Sequence, residues 1–167
     1  MKTLRFFVLG LVCLCLLNSC KKEDSYEVEN GKITGKMTFT TKSVVPITVD
    51  PVTKQPITAI VELVGSGPLS TIGEVSFSSK FKFDYSKLQG TDFATVYTDK
   101  SGNTIELVGT SQGVPTANPT VFSIKVTEPI TKGTGRFARI SGSGTSDIML
   151  DVVKLSGDYN VNWTVTF

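Results

Sequence analysis

The last nine residues constrain the fold more than any other part of this 167-residue chain. Tyr159, Val161, Trp163, Val165 and Phe167 alternate with Asn160, Asn162, Thr164 and Thr166. A period of two held this long places every apolar side chain on one face of a β-strand, whereas a helix would scatter them around its circumference. The same texture recurs upstream. Val75, Phe77, Phe81, Phe83 and Tyr85 alternate with Ser76, Ser78, Lys80, Lys82 and Asp84, with Ser79 the one break on the apolar side. Phe122, Ile124 and Val126 alternate with Ser123, Lys125 and Thr127. Threonine, valine and isoleucine predict shorter strands at Lys32–Thr41, Ile57–Val64, Phe93–Thr98, Thr104–Ser111 and Ser143–Leu150. Asp99-Lys100-Ser101-Gly102-Asn103 reads as a hairpin turn. The three prolines of Pro46–Pro56 predict an irregular loop or a sheet edge. Gly113–Asn118, followed by Pro119, reads as a further loop. About eight strands with one apolar face each predict a single all-β domain, either a closed antiparallel barrel or a sandwich.

The N-terminus has a different character. Lys2 and Arg5 precede an uninterrupted apolar run from Phe6 to Leu17, and the small residue Ser19 stands just before Cys20. About a dozen apolar residues fall short of the roughly 20 needed to span a bilayer core, so the pattern is that of an export signal. Leu17-Asn18-Ser19-Cys20 resembles a lipobox, in which the cysteine is lipidated and the preceding peptide removed; Asn18 departs from the usual small apolar residue. The alternative is ordinary cleavage nearby, which would leave a lone thiol in an oxidising compartment. The resulting expectation is a signal peptide over 1–19, a lipidated Cys20 with a charged tether over 20–30, and a barrel domain over 31–167. Lys21-Lys22-Glu23-Asp24 also resembles the tethers of surface-exported bacterial lipoproteins, although a plain spacer reads the same way. The predicted address is the cell envelope, lipid-anchored at the outer membrane on its periplasmic or external side.

Composition removes several chemistries. The three cysteines are Cys13, Cys15 and Cys20, so the mature chain would hold one thiol and no disulfide framework. Removing Lys2 and Arg5 leaves 15 basic residues against 15 acidic ones, a formal charge of zero that favours neither nucleic acid nor an anionic surface. The chain has no histidine. The usual nucleophile–base pairs and His-based metal sites are therefore out of reach, and neither a metal nor another cofactor is expected. Ser79-Lys80 and Ser86-Lys87 fail as Ser–Lys pairs because neighbours on a strand face opposite ways.

Gly133-Thr134-Gly135-Arg136-Phe137-Ala138, followed by Ile140-Ser141-Gly142-Ser143-Gly144-Thr145, resembles a signature of small secreted bacterial β-barrels similar to the allene oxide cyclase and dirigent barrels, within the calycin-like architecture. The resemblance covers Gly31 to Phe167 and implies an eight-stranded barrel. Arg139 stands where a glycine is common, and a histidine usual near the early strand is absent. The motif itself reads as structural. Gly133, Gly135 and Gly142 suit tight corners and close backbone approach. Phe137 would plug the barrel interior, and Arg136 is placed to reach a carboxylate or loop carbonyls. A phosphate-cradling loop would lead into a helix, and none is predicted here.

Two residue sets remain for function. Asp147 and Asp151 share a strand face opposite Ile148 and Leu150 and read as solvated; Glu62, Glu74 and Glu106 are the better candidates for inward acids. Among the aromatics, Phe83, Tyr97, Phe122 and Trp163 are the candidate lining of a ligand cavity, with core filling as the alternative. Three functions follow: a tethered barrel that binds a small apolar molecule or a sugar, an envelope interaction or structural protein with a filled barrel, and a cyclase- or isomerase-like enzyme. No catalytic residue can be placed on the chain, and fold alone does not decide among the three.

Overall fold

The computed structural model describes residues 30–167; the expected signal peptide, Cys20 and the tether as far as residue 29 lie outside them. Eight antiparallel strands close into a barrel in simple sequential order: β1 Gly31–Val49, β2 Pro56–Leu69, β3 Gly73–Asp84, β4 Gln89–Asp99, β5 Thr104–Pro115, β6 Val121–Gly133, β7 Ser141–Asp151 and β8 Ser156–Thr166. The barrel closes where β1 pairs with β8, from Gly31 opposite Val165 to Thr40 opposite Ser156. Closure removes the sheet edges that a sandwich would leave. Every apolar alternation read from the sequence turns inward, and Ile33, Phe77, Tyr159, Val161, Trp163 and Val165 are all buried. The strand lysines face out. A membrane-spanning barrel has the opposite pattern, apolar outside and polar within.

Strand lengths correct part of the sequence reading. The Pro46–Pro56 segment is not all loop, because β1 continues to Val49 through register shifts after Thr41 and Pro46. Beyond Thr40 it loses β8 and pairs with β2 alone. Residues 42–49 thus form a hairpin arm with one free edge beyond the end of β8, while its β2 strand stays paired with β3 as far as Thr58. Pro46 is tolerated there because it has no second neighbour to donate to. The break at Ser79 also has a physical explanation. Ser79 faces inward, and its hydroxyl meets that of Thr95 on β4 at 2.9 Å, so two buried polar groups satisfy each other.

The GTGRFA segment closes one pole. Gly135–Phe137 forms a single turn of 3-10 helix between β6 and β7, and Phe137 is buried as a plug. Arg136 donates from Nε to Asp99 Oδ2 at 2.8 Å and from Nη2 to the Ile72 carbonyl at 2.8 Å. It thereby ties the β6–β7 connection to the β4–β5 and β2–β3 turns. Asp99 also accepts from the Ser101 and Asn103 backbone and from Asn103 Nδ2. Gly135 adopts φ +55, and a side chain there would strike Asn103. At Gly133 a Cβ would lie 2.0 Å from the Phe137 carbonyl oxygen, so close approach rather than dihedral demands glycine.

Asp99→Ala strips four donors of one acceptor in a largely buried place. We expect a loss of about 2–3 kcal/mol, the range for hydrogen bonds to a charged partner. The measurement is a urea midpoint. A midpoint equal to that of the wild type would mean that the closed pole is held by packing alone.

Candidate functional site: an apolar cavity at the open pole

The opposite pole stays open. The β1–β2, β3–β4, β5–β6 and β7–β8 connections surround it, whereas the chain enters at Gly31 and leaves at Phe167 on the plugged side. Inside the mouth lies a cavity of about 490 Å³. This falls within the range of small-molecule sites. Its walls are the inward rows of several strands, principally Leu63, Phe81, Phe83, Phe93, Phe122 and Ile148. Phe81 and Phe93 stack on each other with centroids 4.1 Å apart. They do so because β4 bulges against β3 between Lys80 and Lys82, and against β5 between Gly90 and Phe93, with Asp92 at φ +55.

Polar groups in the lining are sparse. Thr41, Gln55 and Tyr85 belong to the rim, and Ser111 stands in the wall. Ser111 is only 4% exposed, and its hydroxyl, itself buried, has no hydrogen-bond partner among the described residues. It faces Gly90 across the β4–β5 pair, where an added Cβ would lie 2.3 Å from Ser111 Oγ. Among the described residues, no Asp, Glu, Lys or Arg belongs to the lining.

The rim is apolar as well. Val44, Val45, Ile47 and Val49 on the hairpin arm and Val52 in its turn are exposed, as are Val153 and Leu155 in the β7–β8 turn. The rim lysines Lys87 and Lys154 are each paired with an aspartate of the same turn, Asp84 and Asp151.

The sequence-selected aromatics divide between two places. Phe83 and Phe122 line the cavity. Tyr97 and Trp163 do not; both are fully buried and pack edge-to-face at 4.8 Å in the closed half of the barrel. Beside them lies a group that the sequence reading passed over. Glu128 on β6 is 1% exposed. Its carboxyl accepts from Tyr159 Oη at 2.5 Å, Ser146 Oγ at 2.6 Å and Trp163 Nε1 at 3.2 Å. Burial pushes this carboxyl above its ordinary range, while the three hydrogen bonds pull the other way. Burial also drives the Tyr97 and Tyr159 phenols well upward, and the neighbouring Glu128 adds to the effect.

The expected inward acids lie elsewhere. Glu62 is on the outer wall between Lys42 and Lys80, Glu106 pairs with Lys132, and Glu74 is exposed. Asp147 is exposed on the outer face, while Asp151 anchors its turn through the Val153 and Lys154 backbone. The missed residue follows from the alternation already seen on β6, since Phe122, Ile124 and Val126 lead by the same period to Glu128.

Comparison with known proteins leaves the fold and this geometry to speak for themselves: no family model, no curated protein and no solved structure matches the chain.

Proposed function

We propose that this protein is an envelope lipoprotein, anchored through Cys20, whose barrel carries a small apolar molecule in the cavity at its open pole. The observation behind this reading is the cavity itself, about 490 Å³ of space walled by phenylalanine and aliphatic side chains. A barrel of eight strands is about large enough either to fill its interior with side chains or to hold one small ligand. Here the plugged half is filled, and the open half retains space. The lining also favours an apolar ligand over a sugar. A sugar needs several converging donors and acceptors, and this wall offers the Ser111 hydroxyl within and three polar side chains at the rim.

The test uses the lipid-free chain beginning at Lys21. All eight described strands and the described core lie within residues 31–167, and this form retains them. The neutral fluorophore N-phenyl-naphthylamine should bind saturably at one site per chain. Val44→Trp narrows the mouth at an exposed position and should weaken uptake by about 1–3 kcal/mol, roughly five- to 150-fold in Kd. Fluorescence that rises linearly without saturation would remove the carrier reading. The envelope address is tested separately by metabolic labelling with a fatty acid, which should mark the wild type and not Cys20→Ala.

One observation favours a second reading, that of an interaction protein. The hairpin arm over residues 42–49 has an unpaired edge and exposes Val44, Val45, Ile47 and Val49. Such an edge invites strand addition by a partner. Under this reading Val45→Lys with Ile47→Lys abolishes cross-linking to envelope proteins while fluorophore uptake is unchanged.

A further inference from the structure

We infer that the cavity selects an uncharged ligand, a compact apolar body with one hydrogen-bonding oxygen that engages Ser111. This rests on the carrier reading and narrows it to a chemical class. Two observations carry it, and they are independent of each other.

The first is the absence of Asp, Glu, Lys and Arg from the lining. An ion entering this space would exchange water for phenylalanine and aliphatic walls with no counter-charge, and burying an unpaired charge is strongly unfavourable. The rim offers little compensation. Lys87 and Lys154 already sit 3.5 Å and 3.4 Å from Asp84 and Asp151. Lys54 stands exposed in a turn that also contains Asp50. Exposed pairings of this kind contribute little.

The second observation is Ser111. A buried hydroxyl without a partner is unfavourable in any fold, and most such groups are satisfied. Ser111 belongs to the cavity wall, with its hydroxyl closed against the side-chain-free Gly90, and a turn about χ1 would bring that hydroxyl to a ligand oxygen. Ser79, the other inward serine of this half, has Thr95 as its partner and is not free for this. One hydroxyl in the wall specifies one oxygen, either a hydroxyl or a carbonyl, because serine both donates and accepts. The stacked Phe81 and Phe93 rings beside Gly90 suit a flat or compact body more than a branched polar one.

The experiment displaces N-phenyl-naphthylamine from the lipid-free chain at pH 7 with three α-substituted naphthalenes of nearly equal shape: naphthol, naphthaldehyde and naphthoate. Naphthol and naphthaldehyde are neutral at this pH, and naphthoate is an anion. The two neutral compounds should displace the probe, with naphthoate at least about tenfold weaker, since even partial desolvation of a carboxylate exceeds that margin. Ser111→Ala should weaken the two neutral compounds by about two- to tenfold, the value of one hydrogen bond. The same variant should melt no lower than the wild type without ligand, because it removes an unsatisfied group. Naphthoate binding within about threefold of naphthol would overturn the proposal. So would a probe that none of the three displaces, or Ser111→Ala binding both neutral compounds as before; in these cases the carrier reading stands. Failure of the probe itself to bind would take down both.

Discussion

Trp163→Ala should lower the stability of the barrel by about 3–5 kcal/mol, the range for removing a buried tryptophan. For a domain of this size that corresponds to a Tm lower by roughly 10–20 °C. The side chain is fully buried, packs edge-to-face on Tyr97 and donates to Glu128. Truncation therefore leaves a cavity and removes one of three donors from a buried carboxyl. Trp163→Phe weighs the two effects differently, since it keeps most of the volume but loses the N–H together with part of the ring system. It should fall between alanine and the wild type. Far-ultraviolet circular dichroism is the right probe, because Trp163 is the chain's single tryptophan and the variants have lost their fluorescent reporter. An unchanged melt in Trp163→Ala would mean that the closed half of the barrel is not its core.

Glu128 carries the second large effect, and its sign depends on pH. Glu128→Ala deprives Tyr159, Ser146 and Trp163 of their acceptor at once. Each buried donor left unsatisfied costs about 1–3 kcal/mol, so a total loss of about 3–5 kcal/mol is expected after partial relaxation. Glu128→Gln keeps the shape and one acceptor, and should lose about 1 kcal/mol in mild acid. Burial raises the folded-state pKa of Glu128 above its ordinary value of 4.5. A carboxyl shifted upward binds its proton more tightly in the folded state than in the unfolded one. The stability it contributes is therefore complete below the ordinary value and is lost as pH rises through the raised one.

Wild-type stability should accordingly decline on the alkaline side of that window, and Glu128→Gln should not share the decline. The gap between the two proteins then narrows as pH increases. Asp99 supplies the opposite limb. Burial alone would raise its carboxyl, but hydrogen bonds from Asn103 and Ser101 and the Arg136 charge outweigh burial and hold it low. Its contribution is present above the ordinary aspartate value and is lost as pH falls through the lowered one. Urea midpoints of both proteins across this range test the pair of claims. Parallel profiles for wild type and Glu128→Gln would show that the Glu128 carboxyl has the same pKa folded and unfolded.

The two parts of the barrel interior were not equally legible. Inward rows could be read directly, since a strand with one buried face writes its orientation into the chain residue by residue. Phe122, Ile124 and Val126 were visible in this way, and two further residues along the same row would have reached Glu128. It was passed over because an acid at an inward position breaks the apolar pattern used to find the strand. What justifies it is a set of partners on β7 and β8, distant in sequence. Ser79 is the same case on a smaller scale, since its partner Thr95 is visible only once β3 lies beside β4.

The sequence by itself determined the all-β class, the inward faces of β3, β6 and β8, the hairpin at Asp99–Asn103 and the absence of histidine chemistry, because these depend on local period and residue type. Tertiary structure alone decided that closure runs through β1 and β8, that the carboxylate Arg136 reaches is Asp99, and that one pole is filled while the other keeps a cavity. It also divided the aromatics, placing Phe83 and Phe122 on the cavity wall and Tyr97 and Trp163 in the filled half. Period says which face a side chain takes. Height along the barrel axis, which separates packed core from ligand space, depends on strand register and bulges, and these are settled only when all eight strands pair.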